Sequence, residues 1–317
     1  MSTVKTSFAS FATALLMTAS ASADVDVVAS IKPVHSLVSA VMEGAGAPKL
    51  LISGLASPHD FALKPSQASQ LQNAKLVFWI GPTLETSLVK PISVLATHAT
   101  SVELINSPGL IEHKFRHGGL FEANSEVEDA LSVVDDHAGH DHDDINPHIW
   151  LDPRNAIAMT AQIETSLAKA DPDNAGLYKN NSEKLRKQLH ALDISLAKEL
   201  KPVEGKPYFV FHDAYEYFED RYHVPALGSL TFNPEIQPGA RRLDEIQDKI
   251  NQAGVVCLFS EIQFKSNYVK LLLEGTKAKT AVLDPLGSEL KPGPNLYPEM
   301  MQDIAREMVE CLEEPKA

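Results

Sequence analysis

Apolar and polar positions follow two rhythms along this chain. Short, nearly continuous apolar runs bounded by turn residues read as strands buried on both faces. The first lies at 25–31, and others follow at 49–52, 75–80 and 102–105. Helical patterns stand between them. Pro33-Val34-His35 opens one that runs through Met42, and 66–73 is a second. Gly81-Pro82 stops the third strand. Past Pro202 the same alternation resumes, with strands at 208–211, 255–260 and 280–283. Helices fall at 240–252 (closed by Gly254), 265–274 and 297–312. Strand-helix alternation of this kind predicts a mainly parallel sheet covered by helices.

The middle of the chain reads differently. Asp152-Pro153 is a helix start, with Asp at the N-cap and Pro at the first helical position, and this helix runs to about Ala170. Asp171-Pro172 repeats the signal and begins a longer helix to Leu200. On it Leu185, Leu189, Leu192 and Leu196 form a single apolar stripe. Nearly thirty residues at 1.5 Å each span roughly 43 Å, enough to run the length of two domains as a rigid spine. A chain of 317 residues suits two domains of ordinary size. The fold class is therefore α/β: two lobes, each a mainly parallel sheet with flanking helices, joined by one long rigid helix. The expected boundaries are 24–171 for the first lobe, 172–201 for the linking helix and 202–317 for the second lobe.

One stretch breaks the rhythm. Residues 112–144 hold ten acidic residues and five histidines with few aromatics. Such a segment cannot bury enough apolar area to offset its ordering entropy, so a mobile, acidic His-rich loop is expected here. Long loops inside compact domains are often functional.

Composition narrows the function. The formal net charge is −14, which argues against a nucleic-acid partner and fits cations better. Residues 1–23 read as an export signal: Lys5, then a short apolar core at 8–17, then Ala21-Ser22-Ala23 as a small-residue cleavage site. The apolar core is about half the ~20 residues a membrane span needs. An exported, soluble mature chain starting at Asp24 is expected. The two cysteines, Cys257 in a predicted strand and Cys311 in the last helix, then suggest a disulfide, with two buried free thiols as the alternative.

The candidate chemistry is metal binding. The tract HAGHDHDDINPHIW at 137–150 carries four of the chain's twelve histidines among aspartates. Imidazole nitrogen and carboxylate oxygen are zinc ligands. His137, His140 and His142 lie in a polar run, whereas His148 lies in the stiffer, partly apolar NPHIWLDP. Two kinds of contact follow: a loose loop and a formed site at its edge. His59 follows the 49–52 strand in GLASPHDFAL, and His212 ends a strand in YFVFHDAY. In open α/β sheets ligands collect outside the carboxyl ends of strands. Two histidines from the first lobe and one from the second are thus expected to meet in the cleft. A lone histidine near a strand end is usually a hydrogen-bonded bystander, so the three count only as a set. His35 reads as a packed helix-start residue, and His98, His190 and His223 as solvated ones. Three imidazoles with an open position also fit a zinc hydrolase. Against that, the chain has no HExxH motif and offers no evident general base. An adhesin or metal buffer acting through the loop is a third class.

The segments IKPVHSLV, SPHDFALKPSQ, NPHIWLDP, FHDAYEYF, FSEIQF and VLDPLG, in that order, resemble those of the zinc-binding periplasmic receptors of bacterial zinc ABC importers, the ZnuA type. The likeness runs from about Asp24 to Ala317 and takes in the acidic loop and the cysteine pair. It implies zinc as a transported ligand held by His59, His148 and His212. It further implies delivery to an inner-membrane permease with its ATPase, a periplasmic location, a monomer with small lobe motions, and no catalysis. Manganese and iron receptors are similar in fold but carry a carboxylate in place of the third histidine, so His212 favours zinc. Some members have a glutamate before the first ligand histidine; this chain has Pro58, which has no ligand atom. Asp284 matches the carboxylate ligand of the manganese type and is one candidate fourth ligand, with water the other. Its alternative role is to cap the turn it begins. The loop histidines resemble a metal-gathering loop with weaker, secondary sites. Because metal needs neutral imidazole, affinity is expected to drop below about pH 6.

Overall fold

The computed structural model describes residues 25–116, 121, 145–231, 234–235, 238–264 and 267–313. The expected export signal and the loop histidines His137, His140 and His142 lie outside the described residues.

The first lobe is built on β1 (Val27–Ala29), β2 (Lys49–Leu50), β3 (Leu76–Trp79) and β4 (Thr100–Glu103). All pair in parallel, in the order β2-β1-β3-β4. The central strands β1 and β3 are buried throughout, as continuous apolar runs require, while edge strand β4 is half exposed. Helices α1 (Lys32–Val41), α2 (Pro65–Asn73) and α3 (Thr86–Leu95) flank them. The pattern reading missed α3 because Pro91 sits inside it. Burial of Leu88 and Ile92 on one face holds that helix against the proline's penalty.

The second lobe repeats the topology. β5 (Tyr208–His212), β6 (Gly228–Thr231), β7 (Cys257–Glu261) and β8 (Lys279–Leu283) pair in parallel as β6-β5-β7-β8.

Its helices, with the two that connect the lobes, complete the chain. α4 (Pro153–Ala170) and α5 (Ala175–Leu200) connect; α6 (Glu216–Tyr222), α7 (Ala240–Ala253), α8 (Asn267–Leu273) and α9 (Leu296–Leu312) belong to the second lobe. Asp152 caps α4 as expected, accepting from the Arg154 amide at 2.7 Å. The second Asp-Pro signal starts a short 3-10 turn, and α5 proper follows it with 26 residues, roughly 39 Å. Its leucine stripe is buried, and the helix packs on α4, α1 and α9, so it touches both lobes. One continuous apolar core runs from β1 through α5 to α9, and a smaller one lies on the outer face of the second sheet. A shared core restricts how far the lobes can move apart.

Polar ties cross between the lobes as well. The Lys32 ammonium donates to the carbonyls of Gly287, Ser288 and Leu290 at 3.1, 2.5 and 2.9 Å. Trp150 Nε1 donates to the Pro285 carbonyl at 2.8 Å. The Cys257–Cys311 disulfide staples β7 to α9. Closing a loop of 54 residues stabilises by about 4 kcal/mol in the chain-entropy picture.

The first residues of the stretch expected to be a mobile loop are described. Residues 112–116 are anchored: Lys114 bridges Ile145, and the His113 amide donates to Tyr217 Oη at 3.2 Å. Arg116 pairs with both Asp213 and Glu219, each about 3% exposed. Composition does not reveal this anchoring, because it depends on Arg116 neutralising two carboxylates buried in the second lobe.

Candidate metal centre

His212 is the last residue of β5, and Glu261 is the last residue of β7. Strand order reverses between these two strands, so a crevice opens beyond their carboxyl ends. Both side chains are buried there, and Glu261 Oε1 lies 2.6 Å from His212 Nδ1. An ionised carboxylate can only accept, so Nδ1 carries the proton and Nε2 presents its lone pair.

His148 comes from the first lobe, at the start of the 3-10 turn that precedes α4. The Asn146 side chain sets its ring. Asn146 Nδ2 donates to Glu216 Oε2 at 2.9 Å, which turns Asn146 Oδ1 toward His148. That oxygen lies 2.8 Å from His148 Nδ1 and also accepts from the His148 amide at 3.2 Å. His148 Nδ1 is therefore the protonated nitrogen as well, and Nε2 again is free.

The two Nε2 atoms lie 3.3 Å apart. Two nitrogens each 2.0–2.1 Å from a tetrahedral zinc would be separated by roughly 3.3–3.4 Å. His59, on the half-exposed turn after β2, completes the group. Ligand atoms of His59, His148 and His212 all fall within 4.8 Å of one another, so the three are positioned to hold a metal. The rest of the cavity wall is largely apolar, from Pro58, Trp150, Phe264, Pro285 and Leu286.

That wall removes water and so disfavours charge on the rings. Burial, reinforced by His212, pushes His59 down to about 3. Burial, then His212 and His59, holds His148 well below the usual imidazole range. Both rings therefore stay neutral and able to bind metal into acid.

Asp284 is not brought into the three-histidine group. Its carboxylate accepts from the Leu286 amide, the Ser288 amide and hydroxyl, and Gln263 Nε2. It caps the turn it begins, the alternative role read from the Asp-Pro pair. Elsewhere His35 is buried in α1 beside the Pro48 carbonyl, and His98, His190 and His223 are exposed.

The histidine search overlooked Glu261, Asn146 and Gln263. The strand-end rule that singled out His212 applies equally to Glu261. Asn146 lies only two residues before His148. An amide side chain attracts no notice in a search for metal ligands.

Fold and site together define a two-lobed α/β binding protein with a three-histidine metal centre between its lobes. The model of one family, described as "Zinc-uptake complex component A periplasmic", matches residues 27–311. The chain belongs to that family. It is 44% identical over 304 residues to the "High-affinity zinc uptake system protein ZnuA" of Brucella abortus, covering 90% of this chain and 91% of the relative. The protein of the same description from Yersinia pestis is 35% identical over 289 residues, again covering 90% and 91%. A solved structure described as "Crystal structure of ZnuA" shares the fold, with a TM-score of 0.74 at 20% identity over 92% of this chain and all of that one. No helix among the described residues is long and apolar enough to cross a membrane.

Proposed function

We propose that this protein is a periplasmic receptor that captures zinc between its lobes, through His59, His148 and His212, and hands it to an inner-membrane ABC permease driven by its ATPase. It works as a monomer and catalyses no reaction. The observation that carries this reading is the pair of Nε2 atoms at 3.3 Å, each turned inward by an acceptor on its own Nδ1. That is a nitrogen site pre-set to a tetrahedral edge of zinc. Manganese, which prefers oxygen, finds no carboxylate in the group. The carboxylates nearest the cavity are committed, Glu261 to His212 and Asp284 to its turn, which disfavours a hydrolase needing a general base. The high-affinity zinc uptake role named for the relatives agrees with this. The fourth position is taken by water. Metal analysis of purified protein with a zinc-edge absorption spectrum tests the reading. One zinc per chain with three nitrogen neighbours and one oxygen is expected. A shell dominated by oxygen, or no zinc bound, refutes it.

A further inference from the structure

We propose that Gln263 completes the metal centre: its side-chain oxygen accepts a hydrogen bond from the water in the fourth position on zinc. This rests on the zinc-receptor reading and deepens it. Gln263 lies two residues beyond the end of β7 and lines the same cavity as the three histidines. Its Nε2 donates to Asp284 Oδ1 at 2.9 Å and to Ser288 Oγ at 2.7 Å. A carboxylate only accepts, so the amide can stand only this way round, with Oε1 directed away from the Asp284 turn. That oxygen is buried and has no hydrogen-bond partner among the described residues. Native folds rarely leave a buried carbonyl unmet, because its lost hydration is not replaced. Among the polar residues that line the cavity, His59, His148, His212, Glu261 and Gln263, Oε1 of Gln263 is the buried atom left without a partner among the described residues, so it is the acceptor open to a water bound to the ion. Zinc held by three protein nitrogens keeps a fourth position for such a water. The anchor of the amide is itself fixed, since Lys32 of the first lobe holds the carbonyls of Gly287 and Ser288 beside Asp284.

The test compares Gln263→Met with Ser288→Ala in the full chain. Methionine keeps the volume and removes both amide atoms. Asp284 retains its donors from Leu286 and Ser288, so the turn is expected to persist. Zinc affinity is read by chelator competition, and the ion's neighbours by zinc-edge spectroscopy. Gln263→Met should lose roughly tenfold in affinity, the effect of one hydrogen bond to a polarised water, while keeping three nitrogens and one oxygen. Ser288→Ala, which loosens the amide's donor side but leaves Oε1 and the Asp284 acceptor, should lose clearly less than Gln263→Met. Unchanged affinity in Gln263→Met overturns the proposal. So does an equal loss in Ser288→Ala, which would trace the effect to the turn. Disappearance of the oxygen neighbour in Gln263→Met also overturns it, because Oε1 would then be the ligand itself. Wild-type protein without a three-nitrogen zinc site would instead refute the receptor reading.

Discussion

Glu261→Gln is the sharpest test of how the centre is oriented. The carboxylate meets His212 Nδ1 at 2.6 Å, and both groups are 3% exposed, so water screens the contact little. Glutamine keeps the shape and can still accept, but it removes the charge. A hydrogen bond to a charged group contributes about 1.5–3 kcal/mol, against about 0.5–1.5 for a neutral one. The difference is roughly 1–1.5 kcal/mol in fixing the ring. The weaker acceptor also leaves His212 Nε2 less basic toward the ion. Changes of this kind beside ligating histidines cost about 10–100-fold in metal affinity, or about 1.4–2.7 kcal/mol. The expected result is a 10–100-fold weaker zinc site in chelator competition, with one zinc still bound per chain. Glu261→Ala should be worse, because it leaves a buried N–H without an acceptor. Affinity within threefold of wild type in Glu261→Gln, with the zinc-free protein still folded, would refute the orientation argument.

Five other outcomes follow from the structure. Combining His212→Glu with Glu261→Gln, to avoid two buried carboxylates in contact, should move preference toward manganese; unchanged zinc selectivity would mean that His212 is no ligand. Three ordinary imidazoles would weaken binding about 3 × 10⁴-fold at pH 5, each contributing about thirtyfold. With His59 pushed down to about 3 and His148 also lowered, titrations from pH 7.5 to 5 should show a far smaller fall, and a loss of the full ~3 × 10⁴-fold would refute the burial argument. Replacing 122–144 with a short Gly-Ser linker should leave one tight zinc site, whereas Arg116→Ala should lower stability by about 3–5 kcal/mol by stranding buried Asp213 and Glu219; loss of all tight binding in the first, or an unchanged melting temperature in the second, would contradict this. Burial raises Glu85 to about 7, above the usual 4.5, so its contribution is complete below about pH 4.5 and is lost as pH rises through 7. The zinc-free protein should lose about 3 kcal/mol across that window, and Glu85→Gln should flatten the slope in thermal melts.

What the chain revealed of itself depended on how locally each feature is determined. Buried parallel strands and capped helices are written in neighbouring residues, so β1, β3, β5 and α4 were legible at once. α3 was not, because only its contacts override Pro91. β6 was not, because GSLT is short and carries little apolar signal. The three clustered histidines were legible as residue types near strand ends and turns. Their convergence was expected from the strand-end rule, and the structure brings the three rings together; the paths of the turns that carry His59 and His148 were not legible, since they depend on packing between lobes. Asp284 stands at a ligand-like position with its carboxylate engaged locally. A carboxylate at a ligand-like position is drawn into its own turn when four neighbouring donors already satisfy it.

The repeated topology explains why the centre is asymmetric. In each sheet the strand order reverses between the two central strands, so each lobe has one crevice beyond its strand ends. In the second lobe that crevice holds His212 and Glu261. In the first lobe the corresponding place, after β1 and β3, is filled by the Glu85 side chain. Its carboxyl accepts from Ser30 Oγ at 2.5 Å and from the amides of Ile80 and Gly81 at 3.3 and 2.9 Å. A crevice closed by its own carboxyl group has no room for an ion. The first lobe therefore brings its histidines to the cleft on turns, His59 after β2 and His148 before α4. Among the three, His212 stands on the sheet itself, set by the β5 backbone and the Glu261 carboxylate, whereas His148 depends on the Asn146 side chain to fix its ring.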